Sequence, residues 1–404
     1  MCPNFYQHIE YLFCRTAVYQ YDLPMRTKAI FLLFVLLGVV GCATAVLPTP
    51  SPVSTNPTPI KQAGVAVTVI IKPTATPSPT AAAATAVPAT TTIPLPIATP
   101  GPMSAYTIES LRQRDYPGGV IEIASWMADA EYFDKYAITY PSDGLTISGI
   151  MQIPKGEGPF PVIILNHGYH ERDSYFSGAG TWQQAEYLNY RGYLTIAPDY
   201  RSWGSSDIGP SFFHTGLVAD VMNLVASLPS IPEADTSRIG MWGHSMGGGI
   251  TTKVLTISDV VKAAVLHAPN SADDADLIAR WGPGCLPGLA ECNDGEVIPV
   301  NLSPELQDAY LAAANSPEML HQIAPIYHLE YVTAPVQIHI GLGDGAEPEE
   351  TPPDWAPKLH AALQDAGKES TLFVYPEQGH FFNGPDWNLM MRRTADFFDA
   401  YLKN

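Results

Sequence analysis

Apolar and polar positions divide the chain into a short hydrophobic block near its start, a long stretch without periodicity, and about three hundred residues of alternating short patterns. Residues 29–40 form an unbroken apolar run behind Arg26 and Lys28. At twelve residues the run is too short for the ~20 that span a bilayer, and it matches a signal-peptide core. From 43 to 102 the chain is dominated by Pro, Thr, Ala and Ser, and its only charges are Lys61 and Lys72. That composition predicts an extended linker without a core. The apolar run 65–71 inside it could form a stray strand or a sticky patch and is assigned to the linker.

Past residue 103 the pattern changes. Strand-like runs at 135–140, 145–153, 162–165, 194–197, 238–242, 263–266, 336–340 and 371–375 alternate with helical patterns at 182–190, 217–228, 247–256, 355–365 and 387–402. This predicts an α/β fold with a mostly parallel eight-stranded sheet flanked by helices. The first two strands meet at Ser142-Asp143-Gly144 and are expected to form a hairpin at the sheet edge. Segment 270–333 is longer than a simple crossover needs and holds a helical stretch at 304–314, so a cap is expected there. The predicted organisation is a leader and signal at 1–42, the linker at 43–102 and one folded domain at 103–404, long for a single domain but within the α/β range.

The run 238–242 leads into Gly243-His244-Ser245-Met246-Gly247 and then a glycine-rich helical stretch. A serine on a tight strand-turn-helix elbow needs side-chain-free neighbours two positions away on each side, which Gly243 and Gly247 supply. Ser245 is therefore the candidate nucleophile. Two later runs end in Gly341-Leu342-Gly343-Asp344 and in Pro376-Glu377-Gln378-Gly379-His380. Both polar residues fall just beyond the carboxyl ends of predicted strands, where an open parallel sheet places its site. An imidazole must take the serine proton and a carboxylate must hold the imidazole's tautomer, roles that suit His380 and Asp344. Glu347, Glu349, Glu350 and Asp354 crowd the same loop and stay as rival acids.

The developing oxyanion needs two preorganised donors. One is the backbone N–H of Met246; the other is expected from Asn166-His167-Gly168-Tyr169, with Tyr169 acting through its N–H or its hydroxyl. Phe212, Phe213, Tyr169, Trp203 and Trp281 are candidates for an apolar pocket, with core packing as the alternative. His167, His170 and His244 lack the helical spacing or cysteine pairing of a zinc site. No metal or other cofactor is expected. Asp199 and Arg201 either border the site or serve structural hydrogen bonds.

The His167-Gly168 loop, the stretch from Ala197-Pro198-Asp199-Tyr200 to Ser206, the elbow at 238–249, Asp344 and His380 together resemble the α/β-hydrolase family. Within it they resemble the catalytic domain of prolyl oligopeptidase-type serine hydrolases, over residues 136–402. The resemblance implies an α/β-hydrolase fold, a Ser-Asp-His triad and an acyl-enzyme. Peptidases of that type usually carry a large β-propeller ahead of the hydrolase domain, whereas about thirty residues separate the linker from the first predicted strand here. Short-peptide and small-molecule ester substrates both remain open. The rival from another class is an inert hydrolase scaffold acting as a surface binding protein.

Charge and cysteines place the chain. The formal net charge is −19; residues 1–102 contribute +3, so the remainder carries −22. Such a surface disfavours nucleic acid and anionic membranes as partners. Val39-Val40-Gly41-Cys42 resembles a bacterial lipobox, which implies lipid on Cys42 and an exported, membrane-anchored protein. An ordinary cleaved signal or a short anchor is the alternative. Met25 is the expected start, since residues 1–24 do not suit a signal peptide. Of the five cysteines, Cys285 and Cys292 lie in the folded part, and a close pair in an exported domain predicts one disulfide.

Overall fold

The computed structural model describes residues 101–403, apart from 287, 290, 291, 297, 299 and 300. Met25, the lipobox with Cys42 and the linker run 65–71 lie outside the described residues. The chain builds one nine-stranded sheet from β1 (Glu122–Asp129), β2 (Phe133–Ser142), β3 (Leu145–Pro154), β4 (Phe160–Asn166), β5 (Leu194–Pro198), β6 (Ala234–His244), β7 (Val261–His267), β8 (Val336–Gly341) and β9 (Ser370–Tyr375). The helices are α1 (Ile108–Gln113), α2 (Trp182–Tyr190), α3 (Thr215–Ser227), α4 (Met246–Ile257), α5 (Asp274–Trp281), α6 (Pro304–Ala314), α7 (Pro317–Ile323), α8 (Trp355–Asp365) and α9 (Gly384–Leu402).

Strand order is β1-β2-β3-β5-β4-β6-β7-β8-β9. The three pairings from β1 to β5 are antiparallel, and β5, β4, β6, β7, β8 and β9 run parallel. From β4 the chain goes first to β5 on one side and then to β6 on the other. That reversal opens a crevice at the carboxyl ends of β4 and β6, the position where ligands bind in such sheets.

Side chains alternate between the two faces with the strand period of two. On β4, Val162 and Ile164 join a core with Val221 of α3, Ile250 of α4 and Leu359 of α8, while Ile163 and Leu165 join one with Leu188 of α2 and Phe398 of α9. The central strands are thus apolar throughout because helices cover both faces.

The eight expected strands are all present, and β1 is the ninth. Seven of its eight residues are exposed, so it never shows the buried-face alternation by which a strand is read. The hairpin of β2 and β3 turns through Asp143 and Gly144, both at positive φ, and lies one strand in from the edge instead of at it. Helices α1, α5 and α7 are too short for a clear 3.6-residue period, yet each carries a capping signal. Thr107, Asp273 and Ser316 accept the N–H groups of Ser110, Ala275 and Met319, and Pro317 fills the first turn of α7.

Arg201 and Asp220 form the principal buried ion pair. Arg201 Nε and Nη2 donate to Asp220 at 3.0 and 2.8 Å, and the Arg201 backbone N–H adds a bond of 2.8 Å. Nη1 reaches the Pro210 carbonyl at 2.9 Å and Nη2 reaches Asp143 at 3.0 Å. One guanidinium thereby ties the exit of β5, the hairpin turn and α3 together. Asp199 is equally buried and accepts from Ser148 at 2.6 Å, Tyr175 at 2.8 Å and Ser177 at 2.5 Å. Of the two readings for Asp199 and Arg201, these contacts are the structural one.

Between β7 and β8, helices α5 to α7 form a third apolar cluster in which Leu286, Tyr310 and Ile323 pack against Phe212 and Phe213. Cys285 and Cys292 are bonded to each other, with Cα atoms 4.8 Å apart.

Candidate active site

The turn after β6 is built by close backbone approach. A Cβ on Gly247 would sit 2.0 Å from the Asn166 carbonyl oxygen, and one on Gly243 would sit 2.3 Å from that of Gly247. Neither position tolerates any other residue without moving β4 or α4. Ser245 is forced to φ 54° and ψ −122°, a backbone state that costs ~1–3 kcal/mol and is held by its surroundings. Its N–H donates to the His267 carbonyl at 3.0 Å, and its own carbonyl accepts from Asn270 at 2.9 Å. The Ser245 residue is 7% exposed and lines a cavity of about 220 Å³.

His380 and Asp344 come from the loops after β9 and β8. Those loops touch: Gly343 donates to the Gln378 carbonyl at 2.9 Å, and a Cβ on Gly341 would lie 2.2 Å from the same oxygen. His380 Nδ1 and Asp344 Oδ1 are 2.9 Å apart. Gly345 N–H donates to Oδ1 at 2.8 Å, and the Thr351 hydroxyl donates to Oδ2 at 2.9 Å. Among the five acids of that loop, Asp344 is the one against His380; Glu347 and Glu349 are exposed. The His380 ring packs 4.6 Å from that of His244, whose Nε2 lies 3.0 Å from the His380 carbonyl oxygen.

Met246 is the first residue of α4, so its N–H has no intrahelical partner. It lines the Ser245 cavity together with Tyr169. Gly168 lets the β4 loop approach, since a Cβ there would be 3.1 Å from that of Ser245. The Tyr169 hydroxyl donates to Asp294 at 3.1 Å, so the hydroxyl is engaged with the wall loop. Burial, followed by the nearby Asp294 carboxylate, pushes the Tyr169 phenol above its ordinary range, so it stays protonated.

Of the five aromatic pocket candidates, Tyr169 and Trp281 line the cavity. Phe212, Phe213 and Trp203 are fully buried core residues, as the larger apolar area of a core site favours. His167 shapes the β4 loop, with Nδ1 2.6 Å from the Gly168 carbonyl and Nε2 3.1 Å from that of Asp199. Trp281 Nε1 donates to the Pro348 carbonyl at 2.8 Å, and Arg280 to that of Glu347 at 3.0 Å. The end of α5, part of the cavity wall, is thus fastened to the loop that carries Asp344. Thr351, His214 and Asn293 also belong to the site, and nothing in their local sequence marks them.

The loop at 293–296, part of the cavity wall, is anchored from below by Glu296. Its Oε1 accepts the His214 N–H at 3.0 Å, and the Tyr310 hydroxyl lies 3.2 Å from Oε2. Burial pushes this carboxyl up to about 8; Asp274 adds to the rise, and the His214 N–H and Lys253 oppose it. The folded state therefore holds a proton that the unfolded chain releases near pH 4.5, so stability falls as pH rises from about 4.5 to about 8. Thermal melts across that window should show a smaller decline for Glu296→Gln than for wild type. Parallel curves would contradict the assignment.

Residues 162–397, more than half of the chain, match the family model described as Alpha/beta hydrolase family. Esterase FrsA of Shigella boydii is 24% identical over 163 residues, covering 40% of this chain and 36% of that protein. The chain thus matches about a third of the length of its curated relatives. Among solved structures, the acylaminoacyl peptidase of Pyrococcus horikoshii aligns with a TM-score of 0.52 at 22% identity, over 68% of this chain and 42% of that one. Acetyl xylan esterase 1 of Thermoanaerobacterium sp. aligns with a TM-score of 0.50 at 20% identity, over 72% and 90%. At these identities the likeness speaks for the fold, and with the family match, the sheet order and the strained serine elbow it leads to one assignment: the chain belongs to the alpha/beta hydrolase family.

Proposed function

We propose that the protein is a serine hydrolase that cleaves esters of small acyl groups through an acyl-enzyme on Ser245. The observations that carry this reading are the 2.9 Å contact between His380 Nδ1 and Asp344 Oδ1 and the positive φ of Ser245 on its elbow. With Nδ1–H engaged by the carboxylate, Nε2 is the nitrogen left to take a proton. Ser245 Oγ attacks the carbonyl carbon as Nε2 takes its proton, and the oxyanion accepts from the N–H groups of Met246 and Tyr169. Collapse breaks the ester C–O bond, and Nε2 returns the proton to the departing alcohol. Water then repeats the sequence on the acyl-enzyme and releases a carboxylic acid.

Small substrates are favoured by the modest size of the cavity, about 220 Å³. Among the described residues lining it none is Lys or Arg, whereas Asp294 and Glu349 are present, which disfavours anionic acyl groups. Export with a lipid on Cys42 is part of the same reading, and the bond between Cys285 and Cys292 supports an oxidising compartment. Intact mass of the native protein should show nothing ahead of Cys42; a retained Met1 would overturn that part.

The decisive comparison is kcat/KM on a p-nitrophenyl ester and a p-nitroanilide of one acyl group. Ester turnover with little anilide cleavage is expected. Comparable anilide cleavage, lost in Ser245→Ala, would replace this reading by that of a peptidase. Absence of labelling by a fluorophosphonate probe would point to an inert binding protein.

A further inference from the structure

His214 stands in the wall of the Ser245 cavity, 6% exposed, and the acyl chemistry proposed for Ser245 gives it no part. It and the preceding Phe213 both sit at positive φ, 58° and 53°. Non-glycine residues seldom adopt that state, and it persists at ligand sites where the surroundings enforce it. Here the Phe213 carbonyl accepts from Lys253 Nζ at 2.7 Å, and the His214 N–H donates to Glu296 at 3.0 Å. Lys253 is itself buried and paired with Asp274. The turn sends Phe213 into the core, 5.0 Å from the Tyr310 ring, and leaves the His214 ring to the cavity.

Among the described residues no hydrogen bond reaches either ring nitrogen of His214, yet neither nitrogen is sealed from solvent. The open space that this side chain meets is the cavity, and buried polar groups are rarely left unmatched. Burial, followed by Lys253, holds the imidazole down to about 3. The ring is therefore neutral in any working buffer and offers one N–H and one lone pair. Asp294 and Glu349 on the wall disfavour an anion, and the Lys253 ammonium behind the turn disfavours a cation at the ring. An uncharged group that donates or accepts is left. His380 is not among the residues lining this cavity, and a departing alcohol takes its proton from His380, so the cavity falls to the acyl half of the ester.

We propose that His214 selects the substrate by a hydrogen bond to an uncharged hydroxyl or amide carried on the acyl group. The strained turn, Lys253 and Glu296 serve to hold the ring in place for that bond. The assignment to the acyl half rests on the hydrolase reading; recognition of the polar group by His214 does not.

The test is kcat/KM of the full chain on p-nitrophenyl esters of two pairs of acids matched in shape, each value divided by that ester's rate with hydroxide. The pairs are 3-hydroxybutyrate against 3-methylbutyrate and acetamidoacetate against 4-methylpentanoate. A polar-to-apolar ratio of about tenfold or more is expected in one pair, and that pair identifies the group as hydroxyl or amide. His214→Phe keeps a ring without nitrogens and should bring the ratio close to one. His214→Asn tolerates the same backbone state with a shorter reach; it should do likewise and is the second variant should the first unfold. Ratios near one in both pairs, or a ratio indifferent to the His214 variants, overturn the inference; turnover and fluorophosphonate labelling in the same protein would leave the hydrolase reading standing. Without label or turnover that reading falls, and saturation-transfer NMR with the methyl esters of the same acids decides the site by itself. A polar preference in binding that His214→Phe abolishes upholds it, and no such preference removes it.

Discussion

Ser245→Ala is expected to lower kcat/KM on an activated ester by ~10⁴-fold or more and to abolish fluorophosphonate labelling, with little change in melting temperature. The size follows from the proposed chemistry: without Oγ there is no acyl-enzyme, and only the donors around the oxyanion and the cavity remain. Stability should hardly move, because alanine occupies the same backbone state and the bonds of the Ser245 N–H and carbonyl to His267 and Asn270 involve main chain only. Asp344→Asn should cost about as much, ~10⁴-fold, since an amide facing Nδ1 favours the wrong imidazole tautomer. The two losses should not add. If the residues act as one unit, the double variant is no slower than Ser245→Ala. Rate assays of the three variants on one ester test this, and a Ser245→Ala protein within tenfold of wild type would remove the serine from the mechanism.

Asp220→Ala should destabilise the fold by ~3–5 kcal/mol, towards the lower end because Asp143 stays within reach of the guanidinium. The cost comes from what is left behind. The Arg201 side chain is 4% exposed and that of Asp220 fully buried, so deletion of the carboxylate strands a charge that water does not reach. Removing both charges is a different experiment. Arg201→Met with Asp220→Leu should recover most of the loss, since a buried pair compares poorly with apolar packing while a half pair is worse than either. Chemical denaturation of the three proteins measures the difference. A loss under ~1 kcal/mol in Asp220→Ala would mean that solvent enters the pair.

Strand and helix order in the sheet core was legible from the chain because those elements bury a face, and burial imposes a period. β1 was illegible for the opposite reason, having almost nothing buried. α1, α5 and α7 were not read from the chain: each is too short to show a period, and their caps at Thr107, Asp273 and Ser316 are isolated polar residues without one. The elbow, by contrast, could be read locally, since the glycines at 243 and 247 answer to atoms of the elbow and of the adjoining β4.

Other properties of the site depend on residues distant in sequence. The position of Asp344 just beyond its strand favoured it in the sequence, but which acid of the loop at 344–354 meets His380 is decided by the packing of two loops through Gly341 and Gln378. Whether Phe212 and Phe213 face a substrate or a core depends on α6 and α7 arriving over them from a hundred residues downstream. The sequence by itself determined the family, the order of the periodic elements and the candidate residues for acyl chemistry, because these rest on local pattern. The tertiary structure alone decided partners, exposure and cavities, because those are set by contacts whose members carry no mark of one another along the chain.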